Sequence, residues 1–456
     1  MKVLMLGWEF PPHISGGLGT ACLGISEGLI QNGVKVAFVV PHLHGDEPQN
    51  GVDLVSASDV VITAPTTPSP ALATPIAQIV AALSGSDQFD FELHAVDSPL
   101  RPYMTELEYA NNLALPQSKH QKAQASKLSA PTAVLEQPST GVEVQLQIGG
   151  GYGPDLFDEV NRYARVVQDL SDREDFDVVH AHDWMTFPAG IAAADQSGKP
   201  LILHVHACEY DRCGDRVDLN ICAVEQAGFD RADRIICVSE YNKSLLCKNY
   251  DIDSAKIDVV HNAVTQREQR VKLKVEKTIE GPIVLFLGRI TYQKGPDYFL
   301  EAAARVLKVM PDVQFVLSGT GDMWPKMVER AAQLGISEHT HFTGFLEGDQ
   351  VERMFALADL YVMPSVSEPF GISTLEAMAS DVPTIISRQS GAAEVLQSAL
   401  KVDFWDVEDL ASKILATLLY PALTDELSET GRVEVERMNW EERGSHFLRI
   451  YEDITQ

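Results

Sequence analysis

The chain is short of positive charge. Among 456 residues, 36 are Lys or Arg and 65 are Asp or Glu, a formal net charge of -29. Nucleic acid and anionic membrane surfaces both select a net basic face, so neither is predicted as a partner. A small anionic substrate stays open, because salt confines each charge to about 8 to 10 Å and a few local cations can dominate a cleft. Any phosphate site must therefore show its own Lys or Arg.

Cysteine is sparse too. Six residues run from Cys22 to Cys247, with no Cys-x2-Cys pair and none in the last 209 positions. That pattern excludes a disulfide framework and predicts a reducing, cytoplasmic setting. Long apolar runs are missing. The opening MKVLMLGWEF is too short for a signal peptide, and ALATPIAQIVAAL (71–83) falls short of a membrane span and contains Pro75. The reading is a soluble, unexported chain with no integral membrane segment.

What remains is enough for a large core: 45% of the residues are hydrophobic, and beyond roughly 250 to 300 residues single cores tend to split. Short apolar runs alternate with helical patterns. KVLMLGW, VKVAFVV, FDVVHAH, PLILHVH and RIICVS precede residue 240; IVLFLG, VQFVLSG, ADLYVMPS and VPTIIS follow residue 282. Strands alternating with helices predict parallel sheets built from βαβ units. The charged, aperiodic TQREQRVKLKVEKTIEG (265–281) reads as a linker, giving domains over 1–264 and 282–435. Residues 46–140, rich in Pro, Ser and Ala, read as an insertion with a mobile part near 116–140. The last segment, 436–456, holds Trp440, Phe447, Leu448 and Tyr451 at helical spacing and reads as a closing helix.

Three stretches carry chemistry. In EFPPHISGGLG, Gly16, Gly17 and Gly19 precede a predicted helix, where backbone amides and the helix dipole favour an anion. A purely structural glycine turn is the competing reading. An NAD site is disfavoured: after Gly17 and Gly19 the third position is Cys22, and Pro41 and His42 stand where an acid should end the second strand.

In LFLGRITYQKGPDYFLEAA, Arg289 and Lys294 share one loop at the carboxyl end of a strand, where ligands of open parallel sheets bind. Two cations so placed suit a diphosphate. In SEPFGISTLEAMAS a strand, a turn and a helix follow one another, so the backbone from Phe370 through Gly371, Ile372 and Ser373 offers a second anion-binding helix start. Glu376 is then placed to accept from a ribose diol, and Glu368 faces whatever lies beyond the phosphates.

EFPPHISGGLG, DVVHAHDW, GRITYQKG and SEPFGISTLEAMA, in this order, resemble the retaining nucleotide-sugar glycosyltransferases of the GT-B fold. The likeness is to the large family four group and the related glycogen and starch synthases, over roughly 1–45 and 150–456. It implies an α/β fold of two Rossmann-like domains with parallel sheets facing across a cleft, the first holding a glycan acceptor and the second a nucleotide-diphosphate sugar. By that resemblance Arg289 and Lys294 bind the donor diphosphate, Glu368 sits beside the donor sugar, and Glu376 grips the ribose. Gly16 and Gly17 line sugar and phosphate, His182 lies near the reacting sugar, and Phe345 and Leu346 touch the base. The closing helix would cross back to the first domain. Substrates implied are UDP-glucose or ADP-glucose as donor and an α-glucan as acceptor, with no cofactor and no metal. Bacterial glycogen synthases usually carry Lys two residues before the double glycine; this chain has Ile14 there, followed by Ser15, so neither that identity nor a preference for ADP-glucose follows.

Two other classes compete. His180, His182, His204, His206 and Cys208 cluster at the ends of successive strands, as zinc ligands of a hydrolase do; that reading leaves Arg289, Lys294 and both glutamates unexplained. A nucleotide-sugar or glycan binding protein without turnover would keep every motif.

Overall fold

A computed structural model describes residues 1–14, 16–48, 50–64, 142–146, 148–150, 152–153, 155–264, 275, 277 and 279–456. The first half starts with β1 (Lys2–Leu6), α1 (Gly17–Gln31), β2 (Lys35–Val40), β3 (Asp53–Ser56) and β4 (Val61–Ala64). It continues through β5 (Val142–Gln145), α2 (Leu156–Ser171), β6 (Val178–His182), α3 (Phe187–Ser197) and β7 (Leu201–Val205). Then come α4 (Glu209–Cys213), α5 (Leu219–Arg231), β8 (Arg234–Cys237), α6 (Glu240–Asn249) and β9 (Ile257–Val259). The second half holds β10 (Ile283–Leu287), α7 (Pro296–Val306), β11 (Gln314–Ser318), α8 (Trp324–Leu334) and β12 (Thr340–Gly344). After these run α9 (Asp349–Leu357), β13 (Leu360–Met363), α10 (Ile372–Ala379), β14 (Thr384–Ser387), α11 (Ala392–Val395) and β15 (Leu400–Val402). Three helices close the chain: α12 (Val407–Leu419), α13 (Pro421–Val435) and α14 (Trp440–Thr455).

Two parallel sheets result. The first has the order β3-β2-β1-β6-β7-β8-β9 and the second β12-β11-β10-β13-β14-β15. The central strands are buried on both faces, which is why they read as unbroken apolar runs. The chain reverses its winding between β1 and β6 in the first sheet and between β10 and β13 in the second. These are the switch points where doubly wound sheets open a crevice at their carboxyl ends.

The observed sheets are wider than the sequence patterns predict. DLVS, IDV, THFTG and LKV form β3, β9, β12 and β15, all at sheet edges, where partial exposure dilutes the apolar signal. Residues 53–56 therefore belong to the main sheet rather than to an insertion beginning at 46, and β4 pairs antiparallel with β5. The segment read as mobile, 116–140, and most of the linker lie outside the described residues.

Helix α14 packs on the first sheet's face, burying Trp440, Phe447, Ile450 and Tyr451 with Met5, Phe38 and Val178. Each such side chain contributes about 1.5 to 3 kcal/mol. A further apolar cluster joins the halves, with Val238 and Val264 against Phe370, Leu375, Met378 and Met438. Among the described residues, no helix is long and apolar enough to cross a membrane.

Candidate active site

The second switch point assembles the charged residues. Arg289 follows β10 and Lys294 ends the 3-10 turn Tyr292–Lys294, while Glu368 lies beyond β13. Lys294 Nζ meets Glu368 Oε2 at 2.5 Å, and Ser365 Oγ donates to the same oxygen at 3.1 Å. Arg289 Nη2 donates to Gln293 Oε1 at 3.2 Å. Gln293 is buried, and its carbonyl accepts from Val366 N at 2.9 Å, tying the two loops together. Gly295 lets them approach: its φ is +64° and a Cβ there would sit 2.2 Å from the Pro364 carbonyl.

Burial pushes the Asp322 carboxyl above its ordinary range, and Arg289 is near enough to oppose that shift. Burial raises the Tyr361 hydroxyl, and the fields of Glu368 and Glu376 add to the effect, which places both glutamates about one ring. Tyr361 shares a 2.7 Å hydrogen bond with Ser373 Oγ on the first turn of α10. Gly371, with φ +103°, starts that helix beside Glu368. The Phe370 ring is buried in an apolar cluster, and Ile372 is partly buried against the same cluster. Phe345, 42% exposed, and Leu346 stand just beyond β12, on the same edge of the sheet.

Gly16, Gly17 and His182 gather at the first switch point. Gly16 precedes α1, and nothing stands within 4 Å of a Cβ built on either glycine. His182 ends β6, opposite His204 of β7. Its Nδ1 lies 2.9 Å from His206 Nε2. The next residue, Asp183, accepts from His206 N at 2.7 Å and from Arg212 Nη2 at 3.2 Å. His180 and His204 are buried in the sheet. Cys208 is not part of their cluster: it caps α4 and packs on the opposite face.

Direct bonds join the two halves beside Glu368. Ser367 Oγ donates to Asp211 Oδ1 at 2.8 Å, Tyr241 hydroxyl donates to Ser367 Oγ at 3.1 Å, and Ser239 Oγ donates to the Pro369 carbonyl at 2.6 Å. Glu394 accepts from Glu240 N at 3.0 Å and pairs with His261 at 3.2 Å. Gln293, Ser365, Ser367 and Asp211 escape a reading by motif, because uncharged or scattered residues from separate elements leave no spacing to detect.

Three models of protein families tile the chain. Residues 2–138 match the starch synthase catalytic domain, 132–267 Glycosyltransferase Family 4, and 266–434 glycosyl transferases group 1. Taken together, these matches place residues 2–434 among the glycosyltransferases.

The first match extends the likeness across residues 46–138, which the motifs alone leave out. An uncharacterized glycosyltransferase of Methanocaldococcus jannaschii is 26% identical over 412 residues, covering 87% of this chain and 83% of that protein. A glycogen synthase of Mycobacterium tuberculosis is 23% identical over 460 residues, covering 99% and 94%. The fold is similar to that of the sucrose-phosphate synthase from Thermosynechococcus elongatus, with a TM-score of 0.68, 18% identity and coverage of 99% and 98%. For this glycosyltransferase the fold is therefore GT-B.

Proposed function

We propose that the protein transfers a hexose, glucose, from a nucleoside-diphosphate sugar to a glycan, retaining the anomeric configuration and using no metal in the transfer. One observation carries the reading: Arg289 and Lys294 are held in one loop at a topological switch point, with Glu368 and the start of α10 beside them.

In the reaction the bond from the sugar's anomeric carbon to the diphosphate oxygen breaks, and negative charge grows on the leaving group. Lys294, Arg289 and the first amides of α10 meet that charge without reorganising, the type of term that usually dominates such catalysis. The acceptor hydroxyl attacks from the face the diphosphate leaves, and its proton passes to the departing phosphate oxygen. Glu368, fixed by Lys294 and Ser365, orients the sugar; Glu376 takes the ribose hydroxyls. Gly16 and Gly17 leave room for phosphate and sugar, and His182 stands by the reacting ring. Closure of the halves excludes water.

An α-glucan acceptor is supported by the match to the starch synthase catalytic domain and by the likeness to a glycogen synthase over nearly the whole chain. A different small-molecule or glycoconjugate acceptor has its own support. A D-inositol 3-phosphate glycosyltransferase of Mycobacterium sp. is 32% identical over 261 residues, 52% of this chain and 58% of that protein. The Anabaena protein HepE, 14% identical with a TM-score of 0.63, was solved with UDP and glucose, which favours testing UDP-glucose first.

The test incubates UDP-, ADP- and GDP-glucose with malto-oligosaccharides or inositol phosphate and follows the product by NMR. An α-linked glucose on one acceptor is expected. Absence of both transfer and donor hydrolysis with every pair would overturn the reading.

A further inference from the structure

Four imidazoles form a two-by-two array on the first sheet, beneath α1 and α14. His180 and His182 come from β6, His204 from β7, and His206 follows its end. The His180 and His204 rings are 5.3 Å apart and tilted by only 10°; His204 and His206 are 4.2 Å apart at 22°. His180 Nδ1 is satisfied by the Tyr451 hydroxyl at 2.6 Å. His180 Nε2, His182 Nε2 and both ring nitrogens of His204 are buried and find no hydrogen-bond partner among the described residues. Each such orphan costs about 1 to 3 kcal/mol, so the array is a polar cluster held at some expense of stability. From α1, Cys22 brings its Sγ within 4.8 Å of ring nitrogens of both His182 and His206, which lie within that distance of each other.

We propose that Cys22, His182 and His206 form a binding site for a thiophilic divalent cation such as Zn2+, with a fourth position open toward the cleft. One thiolate and two imidazoles are a ligand set that zinc selects. Bond lengths of about 2.3 Å to sulfur and 2.0 to 2.1 Å to nitrogen put tetrahedral ligands roughly 3.3 to 3.8 Å apart. The two histidine nitrogens lie 2.9 Å apart and Cys22 Sγ lies within 4.8 Å of a ring nitrogen of each, so the nitrogens must part slightly to share one ion. Small side-chain rotations therefore suffice. On binding, the Cys22 S–H bond breaks and its proton leaves to solvent, a metal–sulfur bond forms, and the hydrogen bond between His182 Nδ1 and His206 Nε2 gives way to two metal–nitrogen bonds, its proton moving to the other nitrogen of the donor ring.

The neighbouring trio His180, His182 and His204 also lies within 4.8 Å, but its near-parallel rings direct their lone pairs along parallel planes instead of toward one point. It also lacks an anion. The Cys22 trio offers a sulfur that a cation can hold as thiolate; without one, burial and the nearby Glu9 and Asp183 carboxylates push the Cys22 thiol up and keep it protonated. His206 is partly exposed and gives a route in. Because His182 is read above as lining the reacting sugar, zinc would occupy that place and inhibit transfer; this consequence alone rests on the proposed function.

The test uses the full chain, stripped with a chelator and titrated with Co2+ and then Zn2+. Expected are one equivalent of bound metal, the visible bands of tetrahedral cobalt, and an ultraviolet thiolate-to-cobalt charge-transfer band. Supporting residues around metal ligands are worth about 10- to 100-fold in affinity, so Cys22→Ala, which removes a ligand outright, should weaken binding by at least about 100-fold and abolish the charge-transfer band. Its melting curve reports that it is folded, and Cys247→Ala, at an exposed cysteine, should bind like the parent. A weak octahedral spectrum in the parent, or an unchanged band in Cys22→Ala, would overturn the site. Separately, zinc should inhibit the parent and not Cys22→Ala. Binding is read without turnover, so an inactive parent that still gives the cobalt bands counts against the proposed reaction and supports the site.

Discussion

Lys294 Nζ and Glu368 Oε2 lie 2.5 Å apart, with side chains 16% and 7% exposed, although 74 positions separate them in the chain. The pair spans the switch point of the second sheet. It fixes a cation and a carboxylate where a diphosphate and its sugar would meet.

Lys294→Met leaves the buried Glu368 carboxylate to the Ser365 hydroxyl and should cost about 1 to 3 kcal/mol of stability. It should also lower kcat/KM by about 100-fold or more, as loss of one charge-stabilising donor does. Adding Glu368→Gln should restore part of the stability and none of the activity. Chemical denaturation and initial rates on the three variants check this; recovery of activity in the double variant would contradict the roles assigned.

The crossing of α1 and α14 depends on two bare positions. A Cβ on Gly28 would sit 2.0 Å from the Trp440 carbonyl, and one on Gly444 would sit 2.1 Å from the Gly28 carbonyl. Gly444→Ala should destabilise by about 1 to 3 kcal/mol through overpacking. Limited proteolysis should then cut α14 first, and equal resistance in variant and parent would show that the helix can slide.

Ser367 ties Asp211 of the first half to the loop that carries Glu368. Ser367→Ala removes one hydrogen bond, about 0.5 to 1.5 kcal/mol, at the seam between the halves. Turnover should fall by several-fold, with a smaller change in melting temperature than in Lys294→Met. An unchanged kcat would mean that this seam does not position Glu368.

Arg212 faces two carboxylates, Asp183 at 3.2 Å and Glu225 at 3.4 Å, so one of them can be neutral. Burial pushes Glu225 up to about 8, with Arg212 opposing the shift. The folded chain then holds a proton that the unfolded chain releases above its ordinary carboxyl value near 4.5. Stability should accordingly decline as pH rises from there to about 8, by about 1.4 kcal/mol per unit at most. Glu225→Gln should flatten that decline in melting temperature between pH 5 and 8. A parallel profile would assign the slope to other groups.

Much of the fold is legible in the sequence because its central strands are buried on both faces and many of its helices begin at glycine or proline turns or at Asp, Ser or Asn caps. VVHAH and LYVM need no context to read as strands. Edge strands such as DLVS and LKV do not, since half of each faces solvent. At the site, charged residues in one loop announce themselves, as Arg289 and Lys294 do. What stays hidden is assembled by topology. Gln293 acts through its carbonyl, Ser367 and Asp211 meet across the halves, and Cys22 reaches His182 only because α1 lies over β6. Cys208, two residues from His206, looks like the cysteine of that cluster and is not, because it packs on the other face.

The most direct test of the diphosphate site measures the stabilisation of the parent and of Arg289→Ala/Lys294→Ala by UDP, ADP and GDP. At 100 times its dissociation constant a bound ligand adds about 2.7 kcal/mol to stability. The account predicts that at least one nucleotide raises the parent's melting temperature by the corresponding amount and that the folded double variant loses this response. An equal rise in both proteins would contradict it.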